Sequence, residues 1–479
     1  MDGVLFDKVS VRFPALDSPA LDNVSLAIRQ GECVLLTGPC GCGKSTLLRL
    51  INGIVPQVIP GEISGHISIN GAVPAREKLW QLGRKVATVY QNPRRQFFCA
   101  DPLGELAFGS ENAGQHPDEI LARAAGITKH LAIAHLLSRS MFTLSGGELQ
   151  RIAIGSALMD QPAFLLLDEP TSGLDAKSIA ALTGILQSLR ASGMTIVIAE
   201  HRLWFLRDVV DRVIRLRGGK IVEDIPASQF WQRDDALRRR QGLRALTRPA
   251  SAQIPEPPAG DSGMSYHHPE RGALYFPRGC ITALCGENGA GKSTLANRIA
   301  GLEKTRDKLL LDGKPFPLRQ RLRRAFLVMQ DVNRQLFGAS VAQELQMGRH
   351  HASAHTLDKV IHDMALSELL TLHPMVLSGG QQQRVILALA LLEQREVFIF
   401  DEPTSGLDYQ GLHQVTARLK QLASTGAVVV LITHDEEFSA ICADYRITLP
   451  PAMSAQGWNY AAADRMHINQ REVIEHDDE

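Results

Sequence analysis

Two Asp-Glu pairs, Asp168-Glu169 and Asp401-Glu402, each end a four-residue apolar run, Phe164 to Leu167 and Val397 to Phe400. Such runs suit fully buried parallel strands, and two carboxylates at a strand tip suit a magnesium ion and a water. Each pair closes a longer repeated stretch. Leu144 to Asp175 reads LSGGELQRIAIGSALMDQPAFLLLDEPTSGLD, and Leu377 to Asp408 reads LSGGQQQRVILALALLEQREVFIFDEPTSGLD. Ser145 precedes Asp168 by 23 positions (168 minus 145) and Ser378 precedes Asp401 by 23 (401 minus 378), so the register is kept. Ser145, Gly146 and Gly147, with their counterparts Ser378, Gly379 and Gly380, form a tight turn before a run of helical apolar spacing. The turn therefore sits at a helix N-terminus, where free amides and the helix dipole favour an anion.

A second kind of anion site also occurs twice. GPCGCGKST, Gly38 to Thr46, follows the predicted strand Val34 to Thr37 and precedes the helical LLRLING; GENGAGKST, Gly286 to Thr294, follows ITALC. Strand, glycine-rich loop and helix in that order make the G-x4-G-K-S motif specific. The amides of Gly38, Gly41 and Gly43, and of Gly286, Gly289 and Gly291, would cradle phosphates. Lys44 and Lys292 would reach the β and γ groups, and Ser45 and Ser293, each followed by a threonine (Thr46, Thr294), would hold Mg²⁺. Gln91 ends the strand VATVY and opens the segment QNPRRQFFCADPLGELAFGSEN; Gln330 opens QDVNRQLFGASVAQEL. His201 lies 32 residues beyond Glu169 (201 minus 169), and His434 lies 32 beyond Glu402 (434 minus 402). Phe13, 31 residues before Lys44 (44 minus 13), either stacks on an adenine or is a core aromatic of its sheet. Tyr266, 26 before Lys292 (292 minus 266), is a looser counterpart, because the hairpin that opens the second half is shortened.

These residues need two copies of one scaffold. In the first, VLFDKVSVRF and LDNVSLAIRQGE predict antiparallel strands joined at Pro14 to Pro19. The Pro- and Gly-rich stretch Ile54 to Gly71 follows, then short amphipathic helices over Pro117 to Phe142, a helix to Arg190 and the strand TIVIAE. Boundaries fall at 1–227 for the first domain, 228–262 for a Pro/Ala/Gly linker, 263–450 for the second domain and 451–479 for a polar tail with no assigned function. Within the linker, Arg238 to Arg240 reads as a solvated helix face, with contact to a membrane surface or partner as the weaker alternative. Phe97 and Phe98 are expected to be partly exposed, or else ordinary core.

Composition limits the function classes. The 479 residues are 44% hydrophobic, enough for sizeable cores, and 51 basic residues balance 51 acidic ones. A nucleic-acid binder usually carries a basic surplus, so none is expected as a partner. No apolar run approaches the roughly 18 residues needed to cross a bilayer, and MDGVLFDKVS lacks the pattern of a secretion signal. Seven scattered cysteines read as reduced small residues; Cys40 and Cys42, a CxC inside the first phosphate loop, offer only two ligands and do not make a zinc site.

With these motifs in order twice, the chain resembles a fused pair of ABC-type ATPase subunits. It is most similar to the duplicated ATPases of energy-coupling factor transporters, through Gln91 to Phe98, the FGxEN at Phe108 to Asn112 and AEHR at Ala199 to Arg202. The second half departs with QDVNRQLF and no FGxEN, and Pro39-Cys40-Gly41-Cys42 departs from that group's phosphate loop. The resemblance implies an α/β fold: two P-loop NTPase domains, each a mainly parallel core sheet with an antiparallel β subdomain and an α-helical subdomain. It implies ATP and Mg²⁺ as cofactors. Asp168 and Asp401 would support the metal, with Gln91 and Gln330 reaching the same region; Glu169 and Glu402 would polarise the attacking water, while His201 and His434 fix the γ-phosphate. The two halves would pair within the chain, Ser378 capping the Lys44 site and Ser145 the Lys292 site. It further implies a peripheral motor on the cytoplasmic face of the membrane, with a transmembrane coupling subunit and a substrate-binding subunit as partners, driving uptake of a vitamin or metal ion. Two alternatives are a twin fold that binds nucleotide without turnover, and a soluble twin ATPase acting on ribosomes or DNA. Against the latter stand the neutral charge, the short linker and the lack of an N-terminal cysteine cluster.

Overall fold

A computed structural model of the chain describes residues 3–14, 18–249, 254–258, 260–269, 272–347, 353–377, 379–404 and 406–450. Ser378, part of the predicted Pro14 to Pro19 turn and the 451–479 tail lie outside them.

Buried β-branched and leucine-rich runs build the parallel sheets, as their lack of alternation requires. In the first half the strands are β1 (Gly3–Arg12), β2 (Leu21–Arg29), β3 (Cys33–Thr37), β4 (Glu62–Ile69), β5 (Val86–Val89), β6 (Phe164–Asp168), β7 (Thr195–Ala199), β8 (Arg212–Arg217) and β9 (Lys220–Pro226). The core sheet runs β5-β6-β7-β3-β8-β9, parallel except for the β8-β9 hairpin at one edge. A separate antiparallel sheet, β2-β1-β4, packs beside it. β4 comes from the Pro- and Gly-rich stretch 54–71, where only its last residues are buried, so it shows little of the alternation that announces a strand.

The second half repeats the plan with β10 (Gly263–His268), β11 (Gly272–Pro277), β12 (Ile281–Cys285), β13 (Lys308–Leu311), β14 (Lys314–Pro315), β15 (Ala325–Val328), β16 (Val397–Asp401), β17 (Val428–Ile432) and β18 (Tyr445–Thr448). Its core sheet is β15-β16-β17-β12-β18, parallel throughout, and its antiparallel sheet is β11-β10-β13-β14. The cores divide in the same way in both halves: one cluster lies between the antiparallel sheet and the phosphate-loop helix, and another joins the opposite face of the core sheet to the helical region. Both Asp-Glu pairs thus leave the carboxyl ends of central strands, where open α/β sheets bind ligands.

The stretch after β9 is folded. Short helices span Ala227–Phe230 and Asp235–Arg240, and Phe230, Leu243 and Leu246 are buried in the first half's core. Arg238 is not on a solvated face: it is buried, and its Nη1 donates to Leu243 O at 2.8 Å and to Glu437 Oε1 of the second half at 3.3 Å. The helix is capped by Asp234 and turns this residue toward an acidic patch far along the chain, while Arg239 stays exposed beside Asp235. Among the described residues, no helix is long and apolar enough to cross a membrane. All seven cysteines are unpaired.

Candidate functional site

Each phosphate loop turns directly into a helix, Lys44–Ile51 or Lys292–Ala300. The turn requires glycine at the N-cap: Gly43 has φ 108° and Gly291 φ 92°, left-handed values that cost an L side chain energy. Neither cap uses a side chain, which leaves the first-turn amides free to serve an anion. Lys44 Nζ folds over its loop, 3.2 Å from Gly38 O and 3.3 Å from Pro39 O; Lys292 Nζ lies 2.9 Å from both Gly286 O and Glu287 O. Ser45 Oγ donates to Asp168 Oδ1 at 3.1 Å, and Ser293 Oγ to Asp401 Oδ2 at 2.8 Å. A hydroxyl and a carboxylate converging beside a phosphate cradle fit Mg²⁺, which keeps its waters and takes one or two protein oxygens together with substrate phosphates. Among the described residues no group of three His, Cys, Asp or Glu forms a protein-only metal cage.

The two glutamates occupy matching, strained positions. Glu169 has φ 48° and Glu402 φ 52°, although neither is glycine, and the Glu169 N–H is held by Ala199 O at 2.8 Å and that of Glu402 by Ile432 O at 2.9 Å. Strain of this kind persists where surrounding structure enforces it, and it clusters at functional sites. Burial, reinforced by Glu200, pushes the Glu169 carboxyl up to about 8; burial likewise pushes Glu402 up to about 7, with the Arg202 charge opposing it. Glu169 Oε2 accepts from Gln91 Nε2 at 2.8 Å, and Oε1 faces His201 Nε2 at 3.6 Å. Glu402 Oε1 accepts the His434 N–H at 2.8 Å. Burial drives both histidines down, His434 to about 4, with the Lys44 and Lys292 charges acting in the same direction. Both shifts favour the neutral imidazole, and His201 Nε2 lies 3.1 Å from Lys44 Nζ, from which it accepts.

The halves meet through these sites. Asp408 caps the helix Tyr409–Ser424 and also accepts the Cys40 N–H of the first phosphate loop at 2.7 Å. Asp175 caps Ala176–Ala191 and accepts the Asn288 N–H of the second loop at 3.2 Å. A Cβ on Gly406 would lie 2.6 Å from Gln91 Nε2 and 2.7 Å from Glu169 Oε2, and one on Gly173 would lie 3.0 Å from Gln330 Nε2. Ser145 caps the helix Gly146–Leu158 in a capping box with Glu148, and Gly146 lies against Gly173. Gly147 packs on Ser178, whereas Gly379 and Gly380, which open the counterpart helix, have open space around them. The halves are thus arranged head to tail, with Gly173 to Asp175 and Gly406 to Asp408 at their junction. Sequence reasoning assigned no role to Asp175 and Asp408; the signal it could have used is an aspartate repeated at the N-cap of a helix in both halves.

Other expected residues fall less simply. Thr46 and Thr294 lie partly buried in the first turns of the phosphate-loop helices. Phe13 sits just past β1, partly buried against the antiparallel sheet's core and beside Gly61. Tyr266 is a core residue, 3% exposed, whose hydroxyl donates to Asp307, and it lines a cavity with Ala290 and Gly291 of the second phosphate loop. β10 pairs on both edges, so its inward alternate residues, Met264 and Tyr266, are enclosed. On the glutamine loops, Phe98 is 76% exposed and stacked on Phe108 with ring centres 4.8 Å apart, Phe337 is 79% exposed, and Phe97 is half-buried against the core. Leu336 is core, not surface. Leu336→Ala is therefore expected to cost about 2–5 kcal/mol, while Phe98→Ser, at an exposed position, should cost far less; thermal unfolding of the two variants checks the contrast.

Twin phosphate loops, each with an Asp-Glu strand tip, a downstream histidine and a glycine-led helix, define a two-site P-loop ATPase. Comparison with known proteins gives the family: residues 21–172 and 270–405 match the ABC transporter family, and the chain belongs to it. It is an ATP-binding, ATP-hydrolysing ABC transporter protein with two such domains in tandem. A protein of Treponema denticola provisionally named an ABC transporter ATP-binding protein is 40% identical over 441 residues, covering 88% of this chain and 90% of its own length. A Bacillus subtilis protein provisionally named an HMP/thiamine import ATP-binding protein is 29% identical over 492 residues, covering 92% of this chain and 89% of its own. The structure of ribosome-bound archaeal Pelota and ABCE1 shares the fold, with a TM-score of 0.63 and 19% identity over 92% of this chain and 76% of that one.

Proposed function

We propose that the chain is the motor of an energy-coupling-factor-type importer for a micronutrient, working at the cytoplasmic face of the membrane with a transmembrane coupling subunit and a substrate-binding subunit. The halves, 1–227 and 263–450, would each contribute one phosphate loop to a pair of composite sites. In this reading Lys44 and Lys292 hold phosphates and Ser45, Ser293, Asp168 and Asp401 hold Mg²⁺, which neutralises phosphate charge when bound. Phosphoryl transfer gains little from covalent help, so the protein's contribution is positioning and electrostatics. Glu169 and Glu402 orient and polarise the attacking water, His201 and His434 fix the γ-phosphate, and Ser145 and Ser378 each cap the opposite half's nucleotide.

The observation that carries the transport reading is the path through the first glutamine loop. Gln91 touches Glu169 at the chemical site, and seven residues on, Phe98 stands exposed on Phe108. The second loop ends likewise in the exposed Phe337. Exposed aromatics of this kind favour a protein interface, and ATP-driven closure of the halves would move both loops together. The kinship with an HMP/thiamine import protein supports a vitamin-class cargo. The test is Phe98→Ser with Phe337→Ser: co-purification with the coupling subunit and vitamin uptake should both fall, while ATPase activity of the isolated protein persists. Unchanged assembly and uptake would place the coupling surface elsewhere.

A further inference from the structure

The segment that joins the halves sends arginines into the second half. Arg244 is 4% exposed, and its Nη2 donates to Asp435 Oδ1 and Oδ2 at 2.5 and 2.6 Å while its Nε donates to Glu437 Oε2 at 3.0 Å. The Ala245 N–H and Arg238 Nη1 both donate to Glu437 Oε1, at 3.0 and 3.3 Å, and Arg202 Nη2 lies 3.6 Å from Asp435 Oδ2. Asp435 directly follows His434, and it caps the next helix by accepting the Phe438 N–H. The same guanidinium lines a small cavity with Glu169, His201, Arg202, Thr404 and Gly406. It therefore stands between the glutamate and histidine of the Lys44 site and the backbone that carries the histidine of the Lys292 site. The Arg244 charge also bears on the Glu169 carboxyl, favouring its ionised form.

The repeat does not supply this arrangement twice. His201 is followed by Arg202, whereas His434 is followed by Asp435, and the segment bearing Arg244 occurs once, between the halves. A cation of the first half is thus paired across the junction with anions of the second, and Arg244 adds a forked contact, Nη2 to Asp435 and Nε to Glu437, that fixes angle as well as distance.

We propose that Arg244 is a positioning residue shared by both ATP sites: it clamps Asp435 and Glu437, so setting the His434 backbone, while walling the cavity that holds Glu169 and His201. It touches neither nucleotide and acts through those four side chains. The inference rests on the proposed roles of Glu169, His201 and His434.

The test uses the full chain and compares Arg244→Lys, Arg244→Met and, as a control from the same segment, Arg248→Met. Arg248 pairs with Glu436 at the surface, 58% exposed, where such pairs contribute little. Bound ATP per chain, KM, kcat and thermal stability are measured for each. Both Arg244 variants are expected to bind two ATP with KM little changed, while kcat falls about tenfold or more, because ~1 Å of misplacement can cost on the order of 10²-fold in rate. Lysine keeps the charge but not the two-toothed geometry, so it should recover stability more than kcat. If both variants lose thermal stability yet retain kcat per folded chain, Arg244 is only structural and the proposal falls. Should Arg244→Met fail to fold, the lysine variant decides between these outcomes. Parallel measurements on Glu169→Gln and Glu402→Gln keep the two ideas apart: normal rates there would remove the site assignment, whatever Arg244 does.

Discussion

Glu169→Gln and Glu402→Gln are each expected to cut ATP hydrolysis by about 10²–10⁴-fold, the usual size of a lost acid-base contribution, while ATP binding stays near that of the parent. The amide keeps the shape and can still accept the His434 N–H at 402, but it can never become the carboxylate that polarises water. Unfolding would not explain such a loss. The Glu169 carboxyl is raised to about 8 from an ordinary 4.5, so the folded state holds its proton longer than the unfolded chain. Stability from this group is full below about 4.5 and falls as pH rises toward 8, because the folded state binds the extra proton only in that window. A neutral amide removes this cost, so without nucleotide the glutamine variants should melt at or above the parent's temperature at pH 8. Steady-state hydrolysis, nucleotide binding and thermal melting test the three parts, and normal turnover in either single variant would show that its site is dispensable.

The chemistry was legible where a motif follows directly on a buried strand. Phe164 to Leu167 and Val397 to Phe400 predicted the strand tips that became Phe164–Asp168 and Val397–Asp401, and the two glycine loops fixed the start of each following helix. Local pattern failed where partners are remote. β4 hid in a glycine-broken stretch because pairing to β1, not an apolar stripe, makes it a strand. Tyr266, placed by count alone, is packed in its sheet's core and meets the phosphate loop only across a cavity lined with Ala290 and Gly291. Arg238 and Arg244 look like solvent-facing charge in the sequence, since the carboxylates that bury them stand 199 and 191–193 residues further on. Long-range ion pairs leave no periodicity to read. The left-handed backbones of Glu169 and Glu402 were equally silent, because no residue type announces strain imposed by the surroundings.

Ser145→Arg is expected to disable the site built on Lys292 and to spare the one built on Lys44. Ser145 caps Gly146–Leu158: its Oγ accepts the Glu148 N–H at 3.4 Å and donates to Glu148 Oε2 at 2.8 Å, which orders the helix N-terminus. The neighbouring Gly146 lies against Gly173, which in turn approaches Gln330 Nε2 of the second half, and the proposed pairing sets the turn against the opposite half's nucleotide. Arginine there removes a cap worth about 1 kcal/mol, and it sets a cation at the positive end of a helix dipole that favours anions. Its side chain is also long enough to enter the junction that a phosphate would share. The loss of the cap is small beside that electrostatic and steric block, so the protein should fold while closure over the Lys292 nucleotide fails. Trapping a photoreactive ATP analogue and locating the labelled loop by peptide mapping resolves the sites: label should vanish from Gly286 to Thr294 and remain on Gly38 to Thr46. Loss of label from Gly38 to Thr46 instead would mean that each glycine turn serves the nucleotide of its own half, and the head-to-tail pairing of the sites would have to be abandoned.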